Sequence, residues 1–173
     1  MPAGGLDFFA HGALPAPRVS VAEAQRLAGE HFDLEATAQA LGSQQDQNFL
    51  LRGGAGEPLG VLKLANRAIG LAEIEAQILA GKRLAQRLAP VCVATTLTGP
   101  EGAPLLATVA TSEGPLVAHV VRYLPGSTLA HHGYLSPRVV SALGALAAQV
   151  SDALDDFTHP GPRAHAAVGP ASR

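Results

Sequence analysis

The sequence predicts an α+β fold in which an antiparallel sheet carries helices on one side. Three observations predict it. Short apolar runs are joined by tight Gly/Pro turns that leave no room for crossover helices. Segments of helical period stand before, between and after those runs. The chain has 173 residues, 47% hydrophobic and 15% charged, which gives one domain ample apolar material for a core.

The first helix is expected over 21–30. Ser20 is placed to cap it, Glu23 stands in capping-box position, and Val21, Ala24, Leu27 and Ala28 share a face. Residues 34–40 alternate Leu and Ala with Glu, Thr and Gln, as a strand with one wet face does. A second strand begins at Phe49, and a third runs over 59–64. The glycine cluster at 53–56 reads as the hairpin turn between them. Residues 71–88 form the clearest helix: Leu71, Ile74, Ile78, Leu79 and Ala85 recur at helical spacing, with acidic residues early and basic ones late. Pro90 ends it. The β-branched run 91–97 predicts a fourth strand, and 105–109 and 116–124 one or two more. Ser136 and Pro137 then open a long helix reaching about Phe157.

Composition excludes several classes. Lys+Arg 12 against Asp+Glu 14 gives a net charge of −2, unlike a basic nucleic-acid binder. Cys92, the single cysteine, has no internal disulfide partner. No run approaches the roughly 18 apolar residues of a membrane span, and no basic residue precedes Arg18 to form the n-region of a secretory signal. The expectation is a cytoplasmic protein with neither nucleic acid nor membrane as partner.

Chemistry concentrates in the third strand. Lys63 lies within the apolar run 60–64, where a buried ammonium requires a carboxylate or a phosphate. On residue type alone, a lysine at a solvent-facing strand position is the simpler reading. Glu73 and Glu75, in the helix that follows, are the candidate partners. One hairpin upstream, the polar loop 41–49 could fold its backbone N–H groups over an anion, with Ser43 and Asn48 adding side-chain donors, although it matches no glycine-rich phosphate motif.

A polar loop between strands one and two, a lysine in strand three and a glutamate in the next helix are the nucleotide-handling parts of kinase-type phosphotransferases. The segments Ser43-Gln44-Gln45-Asp46-Gln47-Asn48-Phe49, Val61-Leu62-Lys63-Leu64-Ala65-Asn66, Ile74-Glu75-Ala76-Gln77 and Arg122-Tyr123-Leu124-Pro125-Gly126 resemble the aminoglycoside phosphotransferase superfamily. They are most similar to its hydroxylysine-kinase-like branch, including the phosphotransferase domain fused to some bacterial class III aminotransferases. The run 154–160 also fits that branch, and the similarity spans 17–163.

The resemblance implies a protein-kinase-like small lobe with a five- or six-stranded antiparallel sheet, an N-terminal helix, and the first helix of the large lobe. The implied division is an N-terminal arm 1–19, a nucleotide-binding lobe 20–126, a loop and helix 127–158, and a flexible tail 159–173. It implies that Lys63 holds the α- and β-phosphates of ATP, paired with Glu75. Ser43, Gln44 and Asn48 would belong to the phosphate-covering loop, and Arg122, Tyr123 and Leu124 to the hinge whose backbone meets adenine. The implied activity is phosphate transfer from a nucleotide to a hydroxyl of a small amino compound.

The catalytic-loop Asp, its Asn and the second magnesium-binding Asp belong to the family's large lobe. After Phe157 the sequence contains no Asp. The expectation is therefore that residues 1–173 bind rather than catalyse, with Mg2+ joining only alongside the large lobe. His31-Phe32-Asp33 imitates part of a catalytic loop but precedes the first strand, and reads as accidental. His131-His132 has no neighbouring Cys, Asp or Glu to complete a ligand set, so no metal is expected there. Cys92, between Val91 and Val93, reads as a small buried hydrophobe. A second reading is a catalytically dead interaction module that self-associates through the apolar face of 136–157.

Overall fold

Ser20 opens the first helix as its side chain predicts: its Oγ accepts the Glu23 N–H at 3.1 Å. The computed structural model describes residues 16–43, 45–129 and 133–159. Helix α1 (Val21–Phe32) buries Ala24, Leu27, Ala28 and Phe32. It runs two residues past the predicted end and stops at Asp33, whose left-handed φ of 54° turns the chain. The reciprocal half of the expected capping box is absent. The Glu23 carboxylate instead accepts from the backbone N–H and Oγ of Ser112, at 2.8 and 3.0 Å.

Five strands follow as β1 (Thr37–Leu41), β2 (Gln47–Arg52), β3 (Pro58–Leu64), β4 (Leu106–Thr111) and β5 (Gly114–Val121). They form one antiparallel sheet in the order β1-β2-β3-β5-β4. The first strand starts later than its alternation suggests, because the Leu34 N–H is still committed to Ala28 O at the end of α1. The β2–β3 turn closes with the Gly53 N–H on Glu57 O at 2.9 Å, and Gly56 takes a φ of 85° that a side chain would disfavour.

Residues 91–97 are not the expected fourth strand. Thr96 makes one isolated bridge to Val121, the Leu97 N–H bonds Val120 O and the Arg122 N–H bonds Thr95 O, while 91–94 form a strap from α2 (Leu71–Arg87) in which the Thr95 N–H turns back to Val93 O. β-Branched residues favour extended backbone, but β4 takes the edge of β5 as far as His119, so 95–97 meets that edge only at Val120 to Arg122, too short a contact for a ladder. Cys92 is accordingly exposed rather than buried.

Side-chain alternation sorts the sheet into two faces. Phe49, Leu51, Leu62, Leu64, Val109, Leu116, Ala118 and Val120 point to one side and form the core with α1. Lys63, His119 and Val121 point to the other, where Gln77, Ile78 and Gly81 of α2 share a cavity with them. Helices therefore lie on both sides of the sheet, not on one as predicted, because α1 and α2 meet residues of opposite parity.

Helix α3 (Pro137–Leu154) is capped by Ser136 and docks on α2 through Arg83, whose Nε donates to Ala153 O at 2.6 Å and whose guanidinium pairs with Asp156. Ala153 is its buried residue, whereas Val140 and Leu143 are exposed, as expected for that apolar face. The structure begins within the predicted arm, and there Gln47 pins Val19 by accepting its N–H at 2.7 Å and donating to its C=O at 2.8 Å. Residues 1–15, Gln44, His131, His132 and 160–173 lie outside the described residues. No helix among the described residues is long and apolar enough to cross a membrane.

Candidate nucleotide site

Strand register builds the site. Asn48 pairs with Lys63 across β2–β3, and Lys63 pairs with His119 across β3–β5. Directly opposed residues of antiparallel strands share a face, so the three side chains form a polar row on the face away from the α1 core. Lys63 and His119 line a cavity of about 190 Å³ with Gln77, Ile78 and Gly81 of α2, Ala94 to Thr96, and Val121.

The charge that meets Lys63 comes from the loop before β2. Asp46 Oδ2 lies 3.4 Å from Lys63 Nζ, both side chains being largely shielded. The carboxylate is itself fixed, because its Oδ1 accepts the Asn66 N–H at 3.1 Å. Asn66, 4% exposed, also donates through Nδ2 to Gln45 O at 3.2 Å and accepts the Ala68 N–H at 3.0 Å. The residues just after β3 thus clip down the loop that precedes β2.

The implied Lys63–Glu75 pair is not formed. Glu75 is exposed, and the ion pair that Lys63 makes within 4 Å among the described residues is with Asp46. The rotation of α2 explains this: Ile74, Gln77, Ile78 and Gly81 take the inward side, which leaves Glu75 at the solvent side. Glu73 is also committed elsewhere, accepting the Gly70 N–H at 2.8 Å at the start of α2.

His119 was not anticipated from sequence. It is 4% exposed, and its imidazole makes no hydrogen bond among the described residues, with Nδ1 wholly buried. Burial, and then the neighbouring Lys63 charge, lower its pKa from 6.5 to about 4, while Asp46 acts in the opposite direction. It is therefore neutral at pH 7. Asn48 Oδ1 is likewise buried without a partner. Buried polar atoms left unpaired cost on the order of 1–3 kcal/mol each. A histidine one strand away from Lys63 was visible in the sequence, but its face depends on a register that only the sheet supplies.

Ser43 is exposed at the start of the loop. The Arg122 N–H is bonded to Thr95 O at 2.8 Å, and its side chain borders an adjoining cavity of about 410 Å³ with Ile78, Lys82 and Leu97. Tyr123 is half-buried and Leu124 exposed, and no backbone hydrogen bond among the described residues engages either. Asp33, which ends the His31-Phe32-Asp33 run, serves as the α1 cap.

No family model and no curated protein matches the sequence. Among solved structures, the chain is similar to "Structure of the microcompartment-associated aminopropanol kinase", with a TM-score of 0.64 and 20% sequence identity. The alignment covers 83% of this chain and 44% of that one, so this chain spans less than half the length of its structural neighbour. The five-stranded sheet with its flanking helices therefore shares its fold with the matched part of that structure.

Proposed function

We propose that residues 1–173 supply the ATP-binding small lobe and first large-lobe helix of a small-molecule kinase that phosphorylates a hydroxyl of an amino compound. The row Asn48–Lys63–His119, with Asp46 against its lysine, is the observation that carries this reading. An ammonium beside the Asn48 amide and the neutral His119 imidazole, each of which can donate an N–H, suits a polyphosphate, which offers negative charge and several acceptors. Lys63 binds phosphate oxygens, and the loop with Ser43, Gln44 and Asn48 covers them. The free backbone of Tyr123 and Leu124, with Arg122 beside them, supplies the polar edge for adenine. ATP brings the transferable phosphoryl group; the acceptor-orienting Asp and the Mg2+ ligands belong, by the resemblance, to the large lobe. Glu75 reaches Lys63 only if α2 turns. The kinase fold of the neighbour supports phosphotransfer as the chemistry.

Calorimetric titration of ATP and ADP into the chain, up to millimolar, tests the reading. Saturable binding lost in Lys63→Ala is expected; identical absence of binding in both proteins removes it. Ligand at 100 times its Kd should stabilise the fold by about 2.7 kcal/mol.

The exposed Val140 and Leu143 favour a second reading, a self-associating module. Light scattering on the chain and on Val140→Asp/Leu143→Asp decides it: a dimer dissolved by the substitutions supports it, and a monomer at every concentration excludes it.

A further inference from the structure

The ammonium that the nucleotide reading assigns to phosphate is already paired with a carboxylate of the covering loop. Lys63 is 28% and Asp46 19% exposed at the side chain, so their contact at 3.4 Å is shielded from bulk water. Asp46 is not a wandering surface acid. Its other oxygen is held by the Asn66 N–H, and Asn66 also ties down Gln45. The carboxylate is therefore aimed at Lys63 by the Asn66 N–H on its other oxygen, while the Asn66 side chain holds the residue before it.

We infer that Asp46 sets the phosphate affinity of the site, an internal stand-in that a ligand phosphate must displace from Lys63. The inference rests on the nucleotide reading for its ligand. Like charges compete for one cation, so every ligand that engages Lys63 through phosphate meets the Asp46 charge, and a ligand without phosphate does not. Asp46 thus lowers the affinity of every phosphate-bearing occupant, and ligands with several phosphate oxygens, such as nucleoside di- and triphosphates, are the ones best able to displace it. Asn66 keeps the loop attached through Gln45 while the Asp46–Lys63 contact opens.

Asp46→Asn tests this directly, because the amide retains an oxygen for the Asn66 N–H and loses only the charge. Titration with ADP, inorganic tripolyphosphate and adenosine is expected to show roughly 3- to 10-fold tighter binding of the first two, the scale of a partly shielded ion pair, with adenosine unchanged. The gain should vanish in a Lys63→Ala background. A merely structural Asp46 would weaken all three ligands together. If Asp46→Asn binds ADP no tighter than the parent, while Lys63→Ala still abolishes binding, the inference falls and the nucleotide reading stands. Tighter tripolyphosphate with no ADP binding by any variant would keep the exchange and remove the nucleotide reading. No binding of either anion by folded parent and variant removes both. Should Asp46→Asn fail to fold, Asp46→Ser removes the same charge and retains an acceptor for Asn66.

Discussion

Lys63 and His119 face each other across the β3–β5 ladder, and the fixed positive charge of the lysine helps keep the buried imidazole neutral. Burial is the larger cause, Lys63 the second, and Asp46 opposes them. Lys63→Met should therefore raise the His119 pKa above its value of about 4 yet leave it below 6.5, whereas Asp46→Asn should lower it further. An NMR pH titration of the imidazole reads both shifts. A wild-type His119 titrating near 6.5 would contradict the burial described here.

The same histidine makes stability depend on pH. Below pH 6.5 the unfolded chain takes up a proton that the folded chain refuses until about pH 4. The contribution is thus complete above 6.5 and lost progressively as pH falls toward 4, by roughly 3 kcal/mol in all. Urea unfolding between pH 7 and 4 should show this slope, and His119→Gln should flatten that part of it. Equal slopes in the two proteins would rule out the assignment.

Gly60 lies where β3 meets β5 with no room for a side chain. An added Cβ would come within 2.8 Å of Val120 Cγ1 and 3.0 Å of the Val121 carbonyl oxygen. Gly60→Ala should cost about 1–3 kcal/mol in denaturant unfolding. Gly54, in the turn and with open space around it, should accept alanine with little change.

Glu23 joins the first turn of α1 to the β4–β5 turn through Ser112. Glu23→Ala should speed hydrogen exchange of the Ser112 amide while α1 persists, because Ser20 still caps it. Ser20→Ala should instead cost about 1 kcal/mol of global stability. Loss of α1 in the circular dichroism of Glu23→Ala would show that the carboxylate, not Ser20, holds the helix.

Local signals made most of the fold legible. Ser20 and Ser136 announced their helices, the glycines at 53–56 announced their hairpin, and Lys63 stood out as a charge in an apolar strand. What stayed hidden depends on contacts distant in sequence. The face of His119 is set by pairing with a strand more than fifty residues earlier. The choice of Asp46 over Glu75 is set by the rotation of α2 and by the Asn66 clip. The β-branched run at 91–97 signalled a strand, but only 95–97 reaches the sheet, at the short stretch of β5 edge that β4 leaves open.

The attachment of α3 has a mechanical consequence. Its buried residue, Ala153, and the Arg83 contacts all lie at its C-terminal end, while Val140 stands 54% exposed near its start. The helix is a cantilever clamped on α2. Its amides should show a gradient of protection falling from the Ala153 end toward Val140. A rigid-body shift of α2 would be magnified at the Val140 end of α3, which makes no hydrogen bond or ion pair to α2 among the described residues.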